Sequence, residues 1–92
     1  MIEIRIITSA KCALCKEFIS KLRKLKFNEF SEYDADDPAH QNELDGLRIR
    51  DLPVVQIVDK QNRVLYSFPY SKNGYSPRAM KYKRDEFRKA AK

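Results

Sequence analysis

The chain has no tryptophan, one histidine, two glycines and two cysteines among its 92 residues. No apolar run approaches the ~20 residues that a membrane-spanning helix needs, so no membrane association is expected. The opening stretch "MIEIRIITS" lacks the basic segment, apolar core and small-residue cleavage site of a secretory leader, which points to a cytoplasmic protein. There are no internal repeats, low-complexity segments or linkers, and a chain of this length is expected to form one small domain, a monomer with one core. Apolar residues make up 42% of the sequence, too many for a disordered chain even with 35% charged residues.

Charge of one sign is missing from particular stretches. Residues 29–45 carry seven acids and no Lys or Arg. Residues 72–92 carry eight basic residues against Asp85 and Glu86, within a net charge of +6. Such a basic face attracts nucleic acid, anionic membrane or acidic protein, but a solvated helix surface explains it more simply. Tyr66, Tyr70, Tyr75 and Tyr82 offer stacking surfaces for bases. No nucleic-acid fingerprint accompanies them, so nucleic acid is not the expected partner.

What is present is a clear alternation of patterns. "IEIRIIT" alternates apolar and charged residues and reads as a strand over Ile2–Thr8. From Ala13 the apolar positions Leu14, Phe18, Leu22 and Leu25, with Ile19, recur at helical spacing, and lysines and Arg23 take the other face. A second strand is expected over Phe30–Asp34. A short second helix follows, with Asp37 as N-cap, Pro38 at its first position, Leu44 and Leu47 inward, and Gly46 near its end. "PVVQIV", "KQN" and "RVLYSF" read as a hairpin. A last helix starts near Pro77 with Ser76 as cap; Met80 and Phe87 mark its inner face, with Tyr82 or Lys83 between them. The fold class is therefore α/β, with order β-α-β-α-β-β-α and a mixed four-stranded sheet carrying helices on both faces. The first two strands should be parallel, joined by a right-handed crossover.

Cys12 and Cys15, in "SAKCALCKEF", fall at the first turn of the first helix. Three readings are open. A zinc site needs four ligands, and His40 is the only histidine to join the two cysteines; His40 itself reads as a solvated residue. Inert packing is possible for a small apolar side chain, although the strand–helix boundary between Lys11 and Lys16 usually meets solvent. A dithiol–disulfide couple fits the position best. The free N–H groups and positive dipole end of the helix stabilise a thiolate at Cys12, and Lys11 adds positive charge. Cys15, one turn in, is the less exposed of the two.

With "KCALC" after the first strand and "LPVV" opening the third, the chain resembles the thioredoxin superfamily, in particular its small glutaredoxin-like members. The resemblance covers essentially the whole chain. It implies that Cys12 is the nucleophile and Cys15 the resolving thiol. It also implies that Pro53 is a cis-proline packed against the disulfide, leaving the backbone of Leu52 to pair with an extended substrate segment. Departures are plain. Lys11 stands where thioredoxins have a tryptophan, and Ile6 where they have a buried acid. Ala13 and Leu14 replace the Pro-Tyr of the usual glutaredoxin centre. "SFPYSKNGYS" has Gly74 alone, without the Gly-Gly and acid that help to hold glutathione. Lys11, Leu52, Pro53 and Tyr70 are the expected substrate-binding residues, with Lys72 or Asn73 as further contacts to a glutathione carboxylate or a protein. No metal and no bound cofactor is expected, glutathione entering only as co-substrate. The expected partners are a disulfide-containing protein and an electron donor, glutathione or a thioredoxin-reductase-type enzyme. The rival function is a non-catalytic adaptor that holds a protein partner along the Leu52–Pro53 edge.

Overall fold

The computed structural model describes residues 2–37, 52–61, 63–71 and 74–90. Four strands and two helices follow in the order β1 (Glu3–Thr8), α1 (Ala13–Lys24), β2 (Phe30–Asp34), β3 (Val54–Val58), β4 (Val64–Ser67) and α2 (Pro77–Ala90). They form the mixed sheet expected, with strand order β2-β1-β3-β4. β1 pairs parallel with β2 and antiparallel with β3, and β3 pairs antiparallel with β4. The expected second helix, with Pro38, His40, Leu44, Gly46 and Leu47, lies outside the described residues, as do Lys72 and Asn73.

Alternation along β1 sorts its side chains between two faces. Ile4 and Ile6 stand opposite Ile57 and Val55 of β3. They pack with Phe18, Ile19 and Leu22 of α1 and with Met80 of α2 in one buried cluster. The two described helices therefore share one face of the sheet. The short helix expected from Pro38 to near Gly46 lies outside the described residues, so the expectation of helices on both faces has no described counterpart. On the other face, Arg5 donates to Gln56 Oε1 from Nε and Nη2 at 3.1 and 2.7 Å and lies over the Tyr33 ring.

Two expectations need correction. Leu25 is 60% exposed. It is the C-cap residue of α1, where Lys26 turns into positive φ, so the helical stripe stops one turn early at Leu22. On α2 the inner residue between Met80 and Phe87 is neither Tyr82, exposed to solvent, nor Lys83, but Arg84. Four residues after Met80, Arg84 shares its face. Its buried guanidinium donates to Glu29 from Nη1 and to Asp85 from Nε, both at 3.3 Å. Ser76 caps α2, its Oγ accepting the Ala79 N–H at 3.2 Å.

Candidate functional site

α1 begins at the cysteines. Cys12 is its N-cap residue, in extended conformation, and the first turn holds no acid that would oppose a thiolate. Cys12 and Cys15 are joined by a disulfide, their Cα atoms 5.3 Å apart. The Cys15 N–H donates to Cys12 Sγ at 3.1 Å, where a serine or aspartate oxygen caps an ordinary helix. An N–H in that position stabilises negative charge on the sulfur it faces. Lysines or arginines at 21, 23 and 24 fill the last turn, matching the negative end of the helix dipole.

Burial of the pair departs from the sequence reading. Cys12 is 4% exposed and Cys15 1%, so the order between them is as expected, but both sulfurs belong to the interior rather than to an open boundary. They form a second apolar cluster with Ile7 at the end of β1 and with Leu52, and Tyr33, Ala35 and Val54 pack against it. The reason is the end of the sheet. Ile7 stands opposite both Tyr33 and Val54, and these neighbours make the floor under the cysteines.

Leu52 lies in this cluster, and the Leu52–Pro53 peptide bond is cis. Pro53 is buried and leads straight into β3. Lys11 adjoins Cys12 and is exposed; its backbone N–H donates to Ser9 Oγ at 3.2 Å. Tyr70 is 52% exposed in the loop after β4, outside the cysteine cluster. The fold thus gathers Cys12, Cys15 and Leu52, places Pro53 and Lys11 next to them in the chain, and leaves Tyr70 apart.

Beside Cys15 a groove of about 540 Å³ runs between α1 and the ends of β1 and β2. Lys16 and Arg23 line it from α1, Glu32 and Asp34 from β2, and Arg23 donates to Glu32 Oε1 at 3.1 Å across it. Among the described residues no group of three or more His, Cys, Asp and Glu side chains is placed to hold a metal ion. No described helix is long and apolar enough to cross a membrane.

Sequence reasoning missed Tyr33 under the pair, and Ser9 and Asp36 beside it. Parallel pairing of β1 with β2 puts their carboxyl ends side by side, so "TSA" and "DADD" become neighbours. That adjacency was the available signal.

No family model matches the chain, and no curated protein is similar in sequence. Among solved structures, the chain is similar to a disulphide isomerase from Xylella fastidiosa Temecula1. The match has 22% identity and a TM-score of 0.50, covering 99% of this chain and 79% of that one. It is also similar to the structural-genomics target XcR50 from X. campestris, at 24% identity and a TM-score of 0.43, covering 86% and 92% of the two chains. At such identities the likeness is one of fold: the strand order, the crossover through α1 and the first likeness agree that this chain has a thioredoxin-like fold.

Proposed function

We propose that the protein is a dithiol–disulfide oxidoreductase that reduces disulfides in protein partners. The observation that carries this reading is the Cys12–Cys15 disulfide at the start of α1, with the Cys15 N–H on Cys12 Sγ. In the reduced protein, the helix terminus and that N–H favour the Cys12 thiolate, which is the attacking species. Cys12 Sγ attacks one sulfur of the substrate disulfide; a mixed disulfide forms and the other substrate sulfur leaves as a thiolate. Deprotonated Cys15 then attacks Cys12 Sγ, closing the Cys12–Cys15 bond and releasing the second substrate thiolate. The substrate gains two electrons and two protons, and the protein loses them. Two glutathione molecules, oxidised to their disulfide, or a thioredoxin-reductase-type enzyme would restore the dithiol. In this reading Leu52 and Pro53 hold an extended substrate segment beside the sulfurs, with Lys11 and Tyr70 as outer contacts. The protein works as a cytoplasmic monomer.

Burial of Cys12 to 4% favours a second reading, a partner-holding domain whose disulfide is structural. One assay separates the two. Insulin reduction is followed with reduced glutathione, and separately with a thioredoxin-reductase system, for wild type, Cys12→Ser and Cys15→Ser. The oxidoreductase reading expects activity in wild type, loss to background in Cys12→Ser, and a mass-detectable mixed disulfide that accumulates in Cys15→Ser. Wild-type protein inert with both donors would leave the partner-holding reading.

A further inference from the structure

Cys12 enters α1 through the turn Ser9–Lys11, and one carboxylate from another part of the chain holds that turn at two points. Asp36 Oδ2 accepts the Ser9 Oγ–H at 2.8 Å and the Ala10 N–H at 3.1 Å. Ser9 passes the constraint on. It is buried, its Oγ accepts the Lys11 N–H at 3.2 Å, and its carbonyl accepts the Cys12 N–H at 3.0 Å. Asp36 is fixed in turn: its own N–H donates to Asp34 Oδ1 at 2.8 Å, and the Ala35 N–H donates to the Thr8 carbonyl at 2.8 Å. Every residue from Thr8 to Cys12 is therefore tied, directly or through Ser9, to the turn that follows β2.

We infer that Asp36 is a positioning residue for Cys12: its carboxylate sets the turn that holds the sulfur at the first turn of α1. The inference rests on the reading of Cys12 as the attacking thiol. The physics requires a hydrogen-bond acceptor at this point. Without one, the hydroxyl of buried Ser9 and the Ala10 N–H lose their common partner, and the turn is free to rotate the N-cap. The helix-terminus effect fades within one turn, so a shifted Sγ loses both the dipole and the Cys15 N–H. The negative charge of Asp36 acts in the opposite sense, since an anion near a thiol disfavours the thiolate. Hydrogen-bond geometry and charge therefore predict different results for two substitutions. Asp36→Ala removes both, whereas Asp36→Asn keeps a carbonyl acceptor and removes only the charge.

The test uses the reduced protein with Cys15→Ser, so that Cys12 is the only thiol. Its alkylation by iodoacetamide is followed from pH 4 to pH 9. With Asp36→Ala, the titration of Cys12 should move to higher pH and the rate at pH 7 fall by about threefold to fivefold, the size of a lost helix-terminus interaction. With Asp36→Asn the rate should stay within about twofold of the parent or exceed it. Ser9→Ala, which cuts the same link from its other end, should share the fall and keeps the test available if Asp36→Ala does not fold. Parent-like behaviour in Asp36→Ala, or an equal fall in Asp36→Ala and Asp36→Asn, overturns the inference. Alkylation needs no disulfide substrate, so wild-type protein inert towards insulin would count against the oxidoreductase reading alone.

Discussion

Gly74 sits at φ 72°, in the left-handed region, and a Cβ placed there would collide with the ring of Phe18. Phe18 is one turn after Cys15 and belongs to the main core cluster. The loop before α2 is thus pressed against the helix that carries the cysteines, at a point where only hydrogen fits. Gly74→Ala should cost about 2 kcal/mol in a denaturant titration, through both the disfavoured φ and the displaced ring. The single glycine that sets this loop apart from the glutaredoxin pattern therefore has a packing reason of its own. Asp59 is another residue with a local duty. Its Oδ1 accepts the backbone N–H groups of Gln61 and Arg63, each at 2.9 Å, closing the β3–β4 turn.

At the scale of elements, α2 is held by one buried apolar side chain and by a row of cations. Met80 is fully buried in the main cluster. Arg84 and Lys81 reach Glu29 just before β2, both at 3.3 Å, and Arg88 donates to the Ile2 carbonyl from Nε and Nη2 at 3.3 and 3.1 Å. These contacts differ in worth. Met80→Ala removes buried volume from the middle of the core and should destabilise by about 3 kcal/mol. Arg84→Met removes two ion pairs whose acid partners, Glu29 and Asp85, both remain half in water, so no charge is stranded. The aliphatic replacement keeps the volume, and its cost should lie within about 1 kcal/mol. Thermal melts of the two variants measure the difference.

The whole molecule carries +6 at neutral pH, and every carboxylate that takes up a proton adds to that charge. Among the described carboxylates, Glu29 and Asp59 have partners that lower their proton affinity in the folded state. Lys81, with help from Arg84, holds the Glu29 carboxyl below its ordinary range. The Arg63 N–H, followed by the Gln61 N–H, does the same for Asp59. Each binds its proton less readily folded than unfolded. The stability they contribute is present above the unfolded carboxylate range and is lost as pH falls through the folded values. The denaturant midpoint should accordingly drop as pH is lowered below about 4, where ordinary carboxylates titrate. Added salt should recover part of the loss by screening the rising positive charge. A midpoint unchanged between pH 6 and pH 3 would refute the linkage.

Most of the architecture was legible from local patterns. Alternation in "IEIRIIT" and helical spacing after Ala13 depend only on neighbours in the chain, and β1, α1, the β3–β4 hairpin and the Ser76 cap emerged where those patterns place them. The cysteine pair at a helix start was readable for the same reason. Local patterns fail where a residue's partner is distant. Arg84 reads as solvated until Glu29 is brought to it, and Leu25 continues the apolar stripe until the chain turns at Lys26. The burial of Cys12 depends on Ile7, Leu52 and Tyr33 meeting at one end of the sheet. Asp36 is one of several acids in its stretch until parallel pairing of β1 and β2 sets it against Ser9, 27 residues away. Periodicity is a property of adjacent residues, whereas burial, ion pairing and the shape of a site arise only when strand pairing brings separate segments together.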